Sequence, residues 1–216
     1  KMSLIYRRYG RFLLRGIVGL LFLLPVLWMI RAALLPVGSA LSQRTRWLQF
    51  DLTLENFKRV WDLFPMLKYA ANTVLVVIIA VPVTLTVSSW AGLAIARLPR
   101  PAQRQWIFLS LAVLMVPGIA LWTTRFMLYK ITGVYNTIWA LVAPAFMGTS
   151  PFYVLMFYRA FHRISNEVYE SARLDGAGVL RTWWEVALPI ARPTAIGVAL
   201  LSFVHYWGDF ISPLLY

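Results

Sequence analysis

The sequence predicts an all-α protein, a polytopic bundle of membrane-spanning helices, on three observations. First, the 216 residues are 60% hydrophobic and 13% charged, with mean hydropathy +0.68. A soluble domain carries about a quarter charged residues, so the surplus apolar side chains need lipid to face. Second, five stretches reach the ~20 predominantly apolar residues that cross a bilayer as a helix. Third, Lys and Arg outnumber Asp and Glu by 21 to 8, and they cluster beside the apolar stretches. Membrane proteins hold basic residues there, in the loops that stay cytoplasmic.

The first expected span runs from about Phe12 to Leu35, with Arg15 and Arg31 near its ends, where long basic side chains reach the headgroups. A basic start before an apolar run also fits a cleaved leader, but four further spans make a first span the simpler reading. The second, Tyr69 to Ala96, is uncharged and contains Pro82. The third covers about Trp106 to Tyr129, including Pro117-Gly118 and Arg125. The fourth runs from about Val134 to Tyr158, with Pro144 and Pro151, and the fifth from about Pro193 to Tyr216.

Arg7, Arg8 and Arg11 precede the first span; Arg97, Arg100 and Arg104 fill the turn after the second; Arg159, Arg163, Arg173 and Arg181 follow the fourth. These segments share one side, which the charge bias makes cytoplasmic, with the N-terminus inside. The connection Ala33–Lys68 carries Arg44, Arg46, Lys58 and Lys68 beside Asp51, Glu55 and Asp62. Within it Leu54, Phe57, Val60, Trp61 and Phe64 recur at helical spacing, with Thr53 as N-cap. That describes a helix resting on the outer leaflet or docking an external partner.

The basic residues sit beside apolar runs, not in one patch, which argues against nucleic acid and for membrane lipid as the partner. The chain has no cysteine, which removes disulfides, thiolate metal sites and cysteine nucleophiles. His162 and His205 form no HExxH pattern. No catalytic residue and no metal site is expected.

One polar segment, about 165–193, interrupts the apolar sequence. A short helix is expected from Glu167 to Asp175, capped by Ser165 or Asn166, with Ile164, Val168 and Ala172 on one face. Gly176 is a left-handed stop. A second helix, Val179 to Leu188, presents Leu180, Trp183, Trp184 and Ala187 before Pro189 and Pro193 limit it. A lipid-resting segment prefers Lys and Arg on its polar face. This one mixes Glu167, Glu170, Asp175 and Glu185 with its arginines, which suits a protein partner.

Residues 170–189 read E-S-A-R-L-D-G, nine residues, then V-A-L-P. This resembles the cytoplasmic EAA loop of binding-protein-dependent ABC importer permeases: EAA, three residues, G, nine residues, I, one residue, LP. Ser171 replaces the second alanine and Val186 the isoleucine. The resemblance to the carbohydrate-type permeases continues through "NTVLVVIIAVPVTLTVSSWAGLAIARLPRP", "LMVPG", "GVYNTIWALVAPAF" and "YWGDFISPLL", where Gly208 stands for the usual asparagine.

What the resemblance implies is a single transmembrane permease domain over 1–216 in a bacterial inner membrane, with a sixth span expected beyond Tyr216. It implies a coupling helix that enters a cleft on an ABC ATPase dimer, built or fixed by Glu170, Ser171, Ala172, Arg173, Asp175, Gly176, Leu188 and Pro189. Glu170 is expected to meet a basic group there, and Asp175 either to do likewise, to cap its own helix or to pair with Arg173. Further partners are a second permease subunit and an extracytoplasmic solute-binding protein. ATP and Mg belong to the ATPase, and this chain binds no cofactor. The implied cargo is a sugar or sugar-like solute.

From the residues themselves, His205, Tyr206, Trp207 and Asp209 are substrate-pathway candidates, aromatic faces beside a carboxylate inside a span. Tryptophan and tyrosine also populate interfacial belts, and Asp209 is equally a structural anchor. A phosphorylated polyol such as a glycerol phosphodiester is the alternative cargo, suggested by Arg31, Arg125 and Lys130. An ion-coupled secondary transporter would need intramembrane carboxylates, and only Asp209 qualifies.

Overall fold

The computed structural model describes residues 2–36 and 52–216. Arg44, Arg46 and Asp51 of the first connection lie outside them. The described residues are helical throughout, without a strand. They divide into two compact units, 1–68 and 69–216.

In the first unit α1 (Met2–Leu34) contains Pro25, and its stretch Leu14–Leu34 has mean hydropathy 2.3. Its side chains from Leu14 to Ile30 are exposed all round. A helix apolar on every face belongs in a membrane or a deep core. The amphipathic α2 (Glu55–Leu63) follows. Its cap position is Leu54, one residue later than expected, while the Thr53 hydroxyl accepts from the Glu55 N–H at 3.1 Å. The Asn56 amide donates to the carbonyls of Ala33 and Leu35 at 3.0 and 2.6 Å. These are among the carbonyls that a helix end leaves without internal partners, so Asn56 ties α2 to the end of α1. Leu54, Phe57, Val60, Trp61 and Phe64 remain exposed.

The second unit is organised around α3 (Met66–Arg97), whose 32 residues make a rod about 48 Å long. Ala80, Thr84, Ser88 and Gly92, four residues apart, are buried along one line. Small residues at this spacing let membrane helices approach closely. The closest approach is to α7 (Pro151–His162). A Cβ placed on Gly92 would lie 2.6 Å from the Phe157 Cβ and 2.8 Å from the Tyr158 backbone N. Gln103 seals the turn that follows α3: its amide donates to the carbonyls of Ala96 and Leu98, and the Tyr158 hydroxyl donates to its Oε1.

The third expected span is not one straight helix. α4 (Arg100–Leu114) and α5 (Trp122–Ile131) are joined by a 3-10 turn, Gly118–Leu121, and bend by 88°. Pro117 has no N–H to donate and disfavours helical backbone in the residue before it, and it takes ψ 127 here. The fourth span begins at Ile138, later than expected, because Asn136 turns at φ 58. Within it α6 (Ile138–Val142) passes into a 3-10 turn, Ala143–Met147, and breaks at Gly148 and Thr149, at φ 72 and 60, before α7 resumes. The Thr149 hydroxyl lies 2.6 Å from that of Thr84 and 2.7 Å from that of Tyr206. This chain of hydroxyls satisfies buried polar groups that would otherwise be costly in lipid.

The fifth span comprises α11 (Arg192–Trp207) and the short α12 (Ile211–Leu215). Among the described residues four helical stretches are long and apolar enough to cross a membrane, and a fifth if the bent α4–α5 pair is one span.

Candidate functional site

The polar segment folds as two helical pieces between α7 and α11. The first, α8 (Asn166–Leu174), starts one residue earlier than expected and ends one earlier. Ser165 occupies its cap position without a side-chain hydrogen bond. The Asn166 side-chain oxygen Oδ1 instead accepts from Arg97 Nη1 at 2.9 Å, and the same guanidinium lies 4.2 Å over the Tyr169 ring. Neither expected capping bond forms, because Arg97 from the end of α3 claims the asparagine.

The C-terminal end follows the expectation for Gly176. It adopts φ +77, its N–H bonds the Arg173 carbonyl, and the Ala177 N–H reaches back to the Ala172 carbonyl at 2.9 Å. These two bonds and a left-handed glycine are the Schellman arrangement, which satisfies carbonyls at a helix end. The glycine is required by its conformation alone, since a Cβ there would meet nothing within 4 Å.

Which face α8 buries differs in part from the helical-spacing reading. Tyr169 and Ala172 are buried and Ile164 is partly so, whereas Val168 is exposed. Tyr169 was not singled out by sequence, since its partner Arg97 lies 72 positions away. Burial raises the Tyr169 hydroxyl pKa above its ordinary value, against the opposing pull of Arg97, so the ring remains neutral and apolar.

The second piece departs more. α9 (Val179–Arg181) widens into a π-helical stretch, Thr182–Ala187, and continues through α10 (Leu188–Ile190). Pro189 therefore does not end the helix. A proline removes one N–H and pushes on the carbonyl four residues back, here Glu185, inside the π stretch. Such bulges absorb a displaced carbonyl without breaking the helix, and the chain turns only at Ala191.

Of the expected surface residues, Leu180 and Trp184 are exposed while Trp183 and Ala187 are buried. The Trp183 Nε1–H donates to the Ser89 hydroxyl at 3.1 Å, and Trp90 stands edge-on to its ring at 5.5 Å. Trp183 thus fastens the loop to α3. Leu188 packs against the same buried cluster, which includes Leu93, Phe157 and Phe161, and Pro189 is exposed.

What remains outside is a knob. Glu170, Ser171, Arg173, Asp175 and Gly176 are all exposed, and Ala172 is buried beneath them at 8%. Leu174 at the tip is 89% exposed and Val179 81%. Leu174 was missed as a surface group; its place between Arg173 and Asp175 signalled only a helix interior. Asp175 occupies the C-cap position of α8, its N–H bonded to the Ser171 carbonyl at 3.0 Å, and its carboxylate does not pair with Arg173. Among the described residues the ion pair is Arg181 with Glu185 at 2.7 Å, and hydrogen bonding to Glu185 raises the Arg181 pKa. Both partners are exposed, so the pair adds little stability. A rigid base with free carboxylates, a free guanidinium and an apolar tip suits insertion into a protein cleft.

The residues of 205–209 are not brought into one surface. Tyr206 is buried, with its hydroxyl committed to Thr149. His205 is exposed, edge-on to the Tyr206 ring. Trp207 is exposed and stacked on Phe203 at 5.5 Å. Asp209 Oδ1 accepts from the Ser212 N–H at 3.0 Å, serving the start of α12. Successive helical residues point about 100° apart, which explains why neighbours in sequence face different surroundings. Sequence reasoning missed Thr84 and Thr149, which are 65 positions apart yet bonded. No metal-ligating cluster occurs among the described residues.

Comparison with known proteins agrees with this architecture. The chain is 28% identical over 196 residues to the diacetylchitobiose uptake system permease protein NgcG of Streptomyces coelicolor, an alignment covering 91% of this chain and 65% of that protein. It is 28% identical over 159 residues to the maltodextrin transport system permease protein MdxG of Bacillus subtilis, covering 74% and 57%. The chain therefore spans less than two thirds of the length of these relatives. Its fold matches a chain in the crystal structure of a bacterial ABC transporter involved in import of the acidic polysaccharide alginate, with TM-score 0.73 and 22% identity, over 97% of this chain and 74% of that one. Residues 85–216 match the family described as "Binding-protein-dependent transport system inner membrane component". That match takes in α7, the knob and the fifth span, and the chain belongs to this family of multi-pass inner membrane transport components.

Proposed function

We propose that this chain is the permease subunit of an ATP-driven importer, and that it moves a sugar or sugar-like solute into the cytoplasm by alternating access. The observation that carries the reading is the knob of residues 166–176. It presents Glu170 and Leu174 outward on a base fixed by Tyr169, Ala172 and Trp183. Carbohydrates are the named cargo of the two relatives, which supports that solute class here.

On this reading the knob enters a cleft of an ABC ATPase dimer, where Glu170 meets a basic group and Leu174 fills an apolar depression. ATP and Mg are held by the ATPase subunits, and this chain performs no covalent chemistry. Closure of the ATPase pair moves the knob. Because Trp183 and Leu188 pack it against the spans, the displacement passes to α3, α7 and α11 as a rigid-body motion. Such a motion shifts a population only by as much as the two states differ in their contacts. The single transmembrane domain pairs with a second permease subunit and receives solute from an extracytoplasmic binding protein. The arginines after α3 and α7 support a cytoplasmic knob, with the N-terminus on the same side.

Purification of the full-length protein from its own membrane in mild detergent, with mass spectrometry of the chains that accompany it, tests the proposal. An ATPase subunit and a second permease are expected, and the ligand on a co-purified binding protein would name the cargo. Recovery of the chain alone, with ATP present, would count against an ATPase-coupled role.

A further inference from the structure

Beside the knob lies a cleft of about 440 Å³, and the transport reading assigns its interior no role. One wall is a single face of α3, formed by Trp90, Leu93, Ala94 and Arg97. The other is the inner side of the loop, including Arg173, Val179 and Leu180. Two features of this cleft point to the same ligand chemistry.

The first is charge. None of the residues lining the cleft is acidic, and two are arginines. Arg97 spends hydrogen bonds on a neutral amide and its face on a tyrosine ring, neither of which cancels its charge. The Arg173 side chain makes no hydrogen bond or ion pair among the described residues. Two uncompensated guanidiniums converging on one cleft favour an anion that accepts several hydrogen bonds, and phosphate oxygens fit the guanidinium fork.

The second is the order of polarity along α3. From Tyr69 onward the helix carries no charged side chain until Arg97, and Trp90 lies two turns before it, about 10 Å back along the axis. Trp90 is 46% exposed and Leu180 66%. The cleft therefore presents cations where α3 leaves the hydrocarbon and an exposed indole on the side toward it. A free anion would use the arginines and leave the apolar walls bare.

We propose that this cleft binds one anionic phospholipid, with its phosphate between Arg97 and Arg173 and its glycerol and upper acyl segments against Trp90, Leu93 and Leu180. A bound lipid would fill the space between the knob and α3 and stiffen the base from which the knob projects. The inference requires that the chain span a membrane and is independent of which solute it carries.

Delipidated full-length protein, in the complex in which it purifies, is titrated with dioleoylphosphatidylglycerol or dioleoylphosphatidylcholine, and bound lipid is counted by native mass spectrometry. The phosphatidylglycerol is expected to bind preferentially. R173Q should weaken it about fivefold, and R97Q/R173Q about thirtyfold, from the usual contribution of one basic residue at a lipid surface. R100Q/R104Q removes as much charge from the start of α4 and should leave binding unchanged. If R97Q/R173Q fails to fold, R173Q alone decides, because Arg173 holds no other group in place. Equal binding of the two lipids, equal loss in R100Q/R104Q, or displacement of the lipid by excess inorganic phosphate would each overturn the proposal.

Discussion

Replacing Gly92 by alanine tests the packing that carries motion from the knob to the spans. The added methyl would sit 2.6 Å from Phe157 Cβ, 2.8 Å from Tyr158 N and 3.0 Å from Phe157 C. Carbon pairs prefer about 3.5–4.0 Å, so α7 must withdraw from α3 by roughly 1 Å. Two of the three obstacles are backbone atoms, and Phe157 is fully buried, so no flexible tip can swing aside. Overpacking of this kind costs about 1–3 kcal/mol, while glycine-to-alanine exchange in a helix returns about 1 kcal/mol. Gly197→Ala in α11 isolates the clash. There the new methyl would meet only Met156 Cε, at an ordinary 3.7 Å, so it gains the helix term alone. The difference between the variants is thus the clash, about 1–3 kcal/mol, and each kcal/mol moves a midpoint by roughly 2–4 °C in a chain of this size. Thermal unfolding of the purified protein in one detergent measures it. G92A should melt several degrees below G197A. Equal midpoints would refute the close approach of α3 and α7.

Glu170→Lys should leave insertion and yield unchanged while abolishing ATP-driven uptake in proteoliposomes, since the knob would offer the wrong charge; normal uptake would remove Glu170 from the coupling role. Gly176→Ala forces an L residue to φ +77, a cost of about 1–2 kcal/mol. Amide exchange across 172–177 should accelerate, with Gly178→Ala, which has no positive φ, as the unaffected control. Trp183→Phe removes the donor to Ser89 and should cost about 1 kcal/mol, whereas Trp183→Ala should cost about 3–5 kcal/mol. No loss in Trp183→Phe would mean that the ring packs without that bond mattering.

The sequence made much of this legible because lipid imposes simple rules. Spans need length and apolarity, so α1, α3 and α11 lay open to reading, and Gly176 announced its left-handed turn. The departures come from interactions that no local pattern carries. Pro117-Gly118 stood inside the third expected span, yet nothing nearby set an 88° bend. Pro189 read as a stop because the π stretch that absorbs it is a backbone adjustment without a sequence sign. Ser165 and Asn166 read as caps, but Arg97, 69 positions earlier, takes the asparagine. The run His205 to Asp209 read as one polar cluster, although helical geometry distributes its members and Thr149 engages the buried one. Contacts between distant residues, Trp183 with Ser89 above all, were invisible to spacing.

The most direct test of the central claim uses the absence of cysteine from the chain. Leu174→Cys places a thiol at the exposed tip of the knob, the one cysteine within residues 1–216, where a short photoactivatable thiol reagent can be attached in native membranes. Illumination followed by mass spectrometry of the adduct identifies what covers that tip. The account predicts an ATPase subunit, with adduct yield that changes when ATP is added. An adduct with lipid alone, when the same reagent is used in membranes that contain the intact transporter, would contradict it.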